Sequence, residues 1–169
     1  LRPSLFKLEI FRLGNLFKKI IYLDADMLCL GSIKELFEND NYLAGCLAGK
    51  NYNHKILNHS KFKRKAILNA GVLVLNNKSS NENIFNKLLK TKGYFKNADQ
   101  DIINIHFNFI FKYIFNHKFN YHAFFFQNYI KNDDIRFLHY AGPKPRENID
   151  LDYSSYWINY YNKYRLNNY

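Results

Sequence analysis

Apolar and polar positions follow two rhythms along this chain, and the change from one to the other marks the elements. Leu5, Leu8, Phe11 and Leu16 recur at helical spacing behind Pro3-Ser4, with Gly14 near the end as a stop, which predicts a short amphipathic helix. Ile20-Ile21-Tyr22-Leu23 is a continuous apolar run that meets Asp24 and Asp26 and resumes as Met27-Leu28-Cys29-Leu30 before Gly31. This pattern predicts a strand covered on both faces that reaches the edge of a sheet. Ser32-Ile33-Lys34-Glu35 has the form of a capping box, with Ser32 as the cap of a single helical turn. Tyr42 to Ala48 reads as a further strand, and Gly49 to Lys65 as a polar, aperiodic surface loop.

Asn69-Ala70-Gly71 then opens the run Val72-Leu73-Val74-Leu75-Asn76, again a strand covered on both faces. Asn81 to Lys92 reads as a helix, and Asp99-Gln100-Asp101 opens another, with two carboxylates where the helix dipole favours negative charge. Phe107 to Phe126 is too aromatic for its period to separate helix from strand, although the alternation in Lys118-Phe119-Asn120-Tyr121-His122 points to extended chain. Ile135 to Tyr140 is a last strand, ended by Ala141-Gly142-Pro143-Lys144-Pro145. Short buried strands alternating with helices indicate an α/β sheet, with no internal repeat and no linker.

Length and composition narrow this picture. At 169 residues, 47% of them hydrophobic, the chain is sized for about one domain. No window carries the ~18–20 apolar residues of a membrane span, and Leu1-Arg2-Pro3 does not begin a signal peptide. Cys29 and Cys46 form no C-x-x-C pair, so no disulfide framework organises the fold and a reducing compartment fits. Their spacing, even with His54 and His59, is too wide for a zinc finger. The 25 Lys+Arg against 14 Asp+Glu leave a formal charge of +11. The excess is dispersed, accompanied by abundant Asn, Ile, Phe and Tyr and by no nucleic-acid motif, so it describes a solvated basic surface and not a specific nucleic-acid partner.

Candidate chemistry centres on Asp24-Ala25-Asp26. Carboxylates at the end of an apolar strand are costly unless a cation or donors satisfy them. On an extended segment, residues two apart point the same way, so both acids can face one divalent ion of the kind that binds substrate phosphates. Two solvated acids on a loop would give the same pattern. His139, between Leu138 and Tyr140, reads equally as a core histidine. The tail, from Tyr153 to Tyr169, interleaves seven aromatic rings with Lys163 and Arg165, which suits either a helix packed on the core or a surface at a membrane interface.

Taken in order, Tyr22-Leu23-Asp24-Ala25-Asp26-Met27, Asn69-Ala70-Gly71-Val72, Asp99-Gln100-Asp101 and His139-Tyr140-Ala141-Gly142-Pro143-Lys144-Pro145 resemble the retaining glycosyltransferases of family 8, which include glycogenins and bacterial lipopolysaccharide glucosyl- and galactosyltransferases. The resemblance runs from about Ser4 to Lys144. It implies a GT-A fold, the Rossmann-like α/β architecture of nucleotide-diphospho-sugar transferases. Residues 1–150 would be the C-terminal two-thirds of such a domain, without its N-terminal uridine-binding strands, and 151–169 an aromatic and basic tail.

By the same resemblance, Asp24, Asp26 and His139 would bind Mn2+, with Mg2+ as the alternative, on the diphosphate of a UDP-sugar. Lys7, Ala25, Asn69, Ala70, Gly142 and Lys144 would join Asp24 and Asp26 in contacting the donor. Asp99 would hold sugar hydroxyls and Gln100 would present its carbonyl oxygen to the anomeric centre. Lys7 read alone is an exposed helix lysine, Asn69 a turn residue, and Asp99 a helix N-cap. Two departures stand out: Lys144-Pro145-Arg146 replaces the family's Lys-Pro-Trp, and Ala48-Gly49 stands where many members carry an acid.

The activity implied is transfer of glucose or galactose from UDP-glucose or UDP-galactose to a glycan or lipid-linked acceptor, in lipopolysaccharide or surface polysaccharide synthesis. A non-catalytic remnant of such an enzyme is the competing reading. The compartment implied is the cytoplasm, with the tail offering peripheral contact to the inner face of the cell membrane.

Overall fold

A computed structural model describes residues 3–48, 61–63, 66–93, 95–123, 134–142 and 154–166. After a 3-10 helix over Pro3–Asn15 come β1 (Lys19–Leu23), β2 (Met27–Cys29), α1 (Lys34–Glu38), β3 (Leu43–Leu47), β4 (Lys61–Lys63) and β5 (Leu68–Asn76). They are followed by α2 (Glu82–Leu89), α3 (Asp99–His106), β6 (Lys112–Ile114), a 3-10 turn over His117–Phe119, β7 (Tyr121–His122), β8 (Phe137–His139) and α4 (Ser154–Leu166). The chain divides into two compact units: one comprises Leu1–Asp24 and Ile33–His117, the other Ala25–Ser32 and Lys118–Tyr169.

The first unit is built on a five-stranded sheet in the order β1-β5-β3-β6-β4, with β5 antiparallel to both of its neighbours and β3 parallel to β6. The aliphatic run of β5 is buried from Ala70 to Leu75, which is why it takes the interior of the sheet. Helix α2 turns Ile84, Phe85 and Leu88 inward, and Asn81 caps it by accepting from the Ile84 N–H at 3.0 Å. Leu8 and Phe11 of the first helix enter the same core, where Phe11 stacks on Phe107 at 5.7 Å. Gly14 serves that packing. A Cβ there would lie 1.4 Å from the Ser80 carbonyl oxygen, so this glycine permits a close approach of backbones.

The second unit holds the three-stranded sheet β2-β8-β7. Antiparallel pairing sets Met27 opposite His139, and parallel pairing sets His122 opposite His139. Trp157 of α4 packs edge-on against Tyr140 at 5.2 Å, whereas Tyr160, Tyr161 and Tyr164 are exposed. The tail thus packs one ring, Trp157, within the second unit and leaves three others exposed.

Several local expectations are corrected. The run from Ile20 to Leu30 is two strands of two different sheets with a turn at Ala25–Asp26, so strand alternation is not what relates Asp24 to Asp26. β1 lies at the sheet edge and is half-buried throughout, not covered on both faces. Ile33 occupies the N-cap of α1 and no side chain caps it, so Ser32 does not. Lys61–Lys63 pair with β6 where a loop was expected. The Asn69-Ala70-Gly71 step is an interruption within β5 and not a turn before it: Gly45 faces Leu73 but the next residue, Cys46, faces Asn69. Asp99 is the first residue of α3, whose N-cap is Ala98 at φ 43°.

Candidate functional site

In the first unit the chemistry gathers around that interruption in β5. The Asn69 side chain accepts from the Gly71 N–H at 2.8 Å, an Asx turn that holds the distortion. The buried peptide groups of Ala70 and Gly71 then serve as anchors. Asp24 N–H donates to the Gly71 carbonyl at 2.9 Å, Lys7 Nζ donates to the Ala70 carbonyl at 3.1 Å, and the Ala70 N–H donates to Gln100 Oε1 at 3.2 Å. Three residues far apart in sequence are tied to one dipeptide.

The Lys7 ammonium stands 2.9 Å from Asp24 Oδ1 and 2.9 Å from Asp99 Oδ2, with side chains 13%, 24% and 10% exposed respectively. Partial burial makes these pairs worth more than surface ion pairs, because the intervening dielectric is lower. Asp99 Oδ2 is buried and takes no aligned hydrogen bond among the described residues, so the ion pair with Lys7 offsets its charge. Lys7 also lies over the ring of Tyr22, 5.0 Å from its centroid, and the Tyr22 hydroxyl donates to Asp24 Oδ1 at 2.8 Å.

Sequence reasoning missed Tyr22 in this role and missed Asn104 altogether. The Asn104 amide donates to the Leu68 and Gln100 carbonyls, both at 2.8 Å, and its oxygen accepts from the Leu68 N–H at 2.7 Å. It fastens the helix bearing Asp99 and Gln100 to β5. An asparagine inside a helix, four residues after Gln100, is itself a signal, since asparagine disfavours helix interiors unless its side chain has work there. Asp101 accepts from the Asn97 N–H at 2.8 Å, tying the approach to the helix to its first turn.

In the second unit, Asp26 Oδ1 approaches His139 Nε2 at 3.2 Å, and the Asp26 carbonyl accepts from the Tyr140 N–H at 2.9 Å. His139 is 3% exposed, and its Nδ1 meets Asn120 Oδ1 at 2.7 Å. With that carboxamide oxygen facing the ring, Nδ1 is the nitrogen placed to donate to Asn120, and Nε2 faces the Asp26 carboxylate. Metal-ligating histidines show the same arrangement, one nitrogen anchored and the other offered. Asn120 is another residue that sequence reasoning missed, because Phe119-Asn120-Tyr121 carries no distinguishing pattern.

The His122 ring lies edge-on to His139 at 4.8 Å. Burial first, and then the neighbouring His139, push its pKa down to about 3, so His122 presents a neutral wall. Carboxylate oxygen and imidazole nitrogen together suit a borderline-hard divalent cation such as Mn2+. Asp26 and His139 therefore fit the expected ion, and Asp24 and Asp26 are kept near one another by covalent connection through Ala25. Ala25 is exposed, and so is Gly142, at φ 101° with no atom of the described residues within 4 Å of where a Cβ would stand, so its backbone is approachable from their side. Lys144, with Pro145 and Arg146, lies outside the described residues.

Comparison with known proteins agrees with the sequence resemblance. The model of the family described as Glycosyl transferase family 8 matches residues 3–148. Glycosyltransferase GlyE of Streptococcus pneumoniae serotype 4 is 35% identical over 97 residues, which are 53% of this chain and 21% of that protein. The crystal structure of the galactosyltransferase LgtC in complex with donor and acceptor sugar analogs superposes with a TM-score of 0.67 at 22% identity, covering 92% of this chain and 65% of that one. The apo form of GlyE from S. pneumoniae TIGR4 superposes with a TM-score of 0.64 at 25% identity, covering 94% and 43%. The fold is thus the α/β fold of GT-A glycosyltransferases, and this chain spans about two-thirds of LgtC and less than half of GlyE.

Proposed function

The chain belongs to glycosyl transferase family 8, and on that premise we propose that it moves a hexose, glucose or galactose, from a UDP-sugar to a glycan or lipid-linked acceptor with retention at the anomeric carbon. One observation carries the reading. The carboxylates assigned to opposite ends of the donor, Asp24 at the diphosphate and Asp99 at the sugar, share one ammonium at 2.9 Å each, so a single constellation addresses both ends. The similarity to a galactosyltransferase solved with donor and acceptor sugar analogs supports the same substrate class.

Asp24, Asp26 and His139 supply two carboxylates and an imidazole to a divalent cation, Mn2+ or Mg2+. When bound, such an ion neutralises the charge that accumulates on the departing UDP. Asn120 fixes the ring of His139 through Nδ1, so that Nε2 is aimed without rotamer search. Asp99 accepts hydrogen bonds from sugar hydroxyls, and Asn69 contributes its amide. Gln100 already uses one lone pair of Oε1 on the Ala70 N–H, and the carbonyl's second lone pair faces the cationic character that develops at the anomeric carbon. The backbones of Ala25, Ala70 and Gly142 approach the donor closely, and Lys144 offers a point charge to the diphosphate.

The setting proposed is synthesis of bacterial lipopolysaccharide or surface polysaccharide. No helix of the described residues is long and apolar enough to cross a membrane. The exposed Tyr160, Tyr161 and Tyr164 of α4, with Lys163, are the surface proposed for peripheral contact with headgroups.

Calorimetry of UDP binding with and without Mn2+ tests the ion, and the anomeric proton coupling constant of the product tests the stereochemistry. We expect Mn2+-dependent UDP affinity that disappears in the Asp24→Ala, Asp26→Ala double variant, and an α-linked product from the α-configured donor. Unchanged affinity in that variant removes the ligand assignment, and a β-linked product removes the retaining mechanism.

A further inference from the structure

Lys7 is closely engaged among the described residues of the first unit. Its ammonium has three N–H groups. It finds three acceptor atoms within 3.1 Å, on Ala70, Asp24 and Asp99, and it stands over the ring of Tyr22, 5.0 Å from the centroid. Around it the formal charges sum to one positive against two negative, so the cluster remains net negative while the ammonium is in place. The Tyr22 hydroxyl donates to the same Asp24 oxygen that Lys7 approaches, so one oxygen of the carboxylate that the ion needs is already occupied by two donors.

We propose that Lys7 is the resident counter-cation of the ion-free site: it holds Asp24 and Asp99 together before metal and donor arrive, and passes Asp24 to the ion when they bind. This rests on Asp24 being an ion ligand. Two carboxylates this little exposed would repel one another without a cation, and an ammonium attached to the chain supplies that cation at no cost in translational entropy. When a divalent ion takes Asp24, Lys7 and the ion become like charges in close range, which weakens the Lys7–Asp24 contact. Lys7 keeps Ala70 and Asp99 as anchors, and the N–H freed from Asp24 turns to an oxygen of the incoming donor. Lys7 is in this sense a positioning residue that lowers the affinity for bare metal and makes ion and donor bind together.

The test measures Mn2+ binding in the absence of any nucleotide, by the electron paramagnetic resonance signal of the free ion, on wild type, Lys7→Met, Lys7→Arg and Asp24→Asn. Lys7→Met is expected to bind Mn2+ roughly tenfold more tightly than wild type, because its competitor and a like charge are gone. Its melting temperature should fall without Mn2+ and recover with it by more than wild type gains. Lys7→Arg should stay near wild type. Equal or weaker Mn2+ binding by Lys7→Met, with binding lost in Asp24→Asn, overturns the counter-cation role and leaves the ion site standing. Undiminished binding in Asp24→Asn overturns the ligand assignment itself. If Lys7→Met does not fold, the side-chain ammonium resonance of wild-type Lys7, identified by its loss in Lys7→Arg, decides the matter. It should shift when Mg2+ and UDP are added, and an unmoved resonance while they bind refutes the handover.

Discussion

Replacing Asn120 by leucine removes the acceptor that His139 Nδ1 meets at 2.7 Å, in a place where Asn120 is 0% and His139 3% exposed. Two consequences can be sized. The first is stability, because a buried hydrogen bond is lost and the N–H left behind cannot reach water. Such a loss costs about 1–3 kcal/mol. The second is metal affinity. Without the Asn120 acceptor, a ring proton is drawn to Nε2, where Asp26 Oδ1 at 3.2 Å accepts it, and the lone pair meant for the ion is then covered. Loss of an outer-shell partner of this kind lowers affinity by roughly 10–100-fold.

The assay is Mn2+ titration with UDP present, beside denaturant unfolding without metal. Asn120→Asp, which restores a stronger acceptor, should recover the affinity, and the 15N shifts of the His139 ring should report the change of tautomer in Asn120→Leu but not in Asn120→Asp. If Asn120→Leu binds Mn2+ as wild type does, with an unchanged ring tautomer, the anchoring argument is wrong.

Lys112 is fully buried on β6 with no hydrogen-bond partner for Nζ among the described residues, and burial lowers its pKa. Lys112→Met should therefore stabilise the protein by about 1–3 kcal/mol near neutral pH, as read by urea unfolding. Between the lowered folded pKa and the ordinary 10.5, the unfolded chain binds more protons than the folded one, so wild type should gain stability as pH rises through that window and the advantage of the variant should shrink. A variant less stable than wild type at both pH values would show that the ammonium is satisfied. Gly14→Ala places a methyl 1.4 Å from the Ser80 carbonyl oxygen, which no side-chain adjustment relieves, and should cost about 1–3 kcal/mol or more in the same assay. Asn104→Ala should leave α3 folded but loosen Gln100 and Asp99, lowering UDP-sugar turnover far more than Mn2+-dependent UDP affinity; equal losses in both would refute a role confined to the sugar end.

Much of the fold was legible because its signals are local. The aliphatic run from Val72 to Leu75, the capped amphipathic helix after Asn81 and the acid-rich start at Asp99 each announce an element within a few residues, and each is found in place. The candidate site was legible in its residue types, since carboxylates beside an apolar run ask for a cation wherever the chain takes them. What the tertiary structure alone decided depends on pairings across long separations. Lys7 meets Asp24 and Asp99, 17 and 92 residues away in sequence, only because the first helix, the end of β1 and the start of α3 converge on the interruption in β5. Asn120 finds His139 only through the parallel pairing of β7 with β8. The division of the Ile20–Leu30 run between two sheets was equally hidden, because both continuations are apolar and hydrophobicity states that a strand is covered without stating by what. Local sequence determines which segments must be extended, helical or capped. Partner choice is a property of the packed whole, where burial leaves each polar group with the few neighbours that topology supplies.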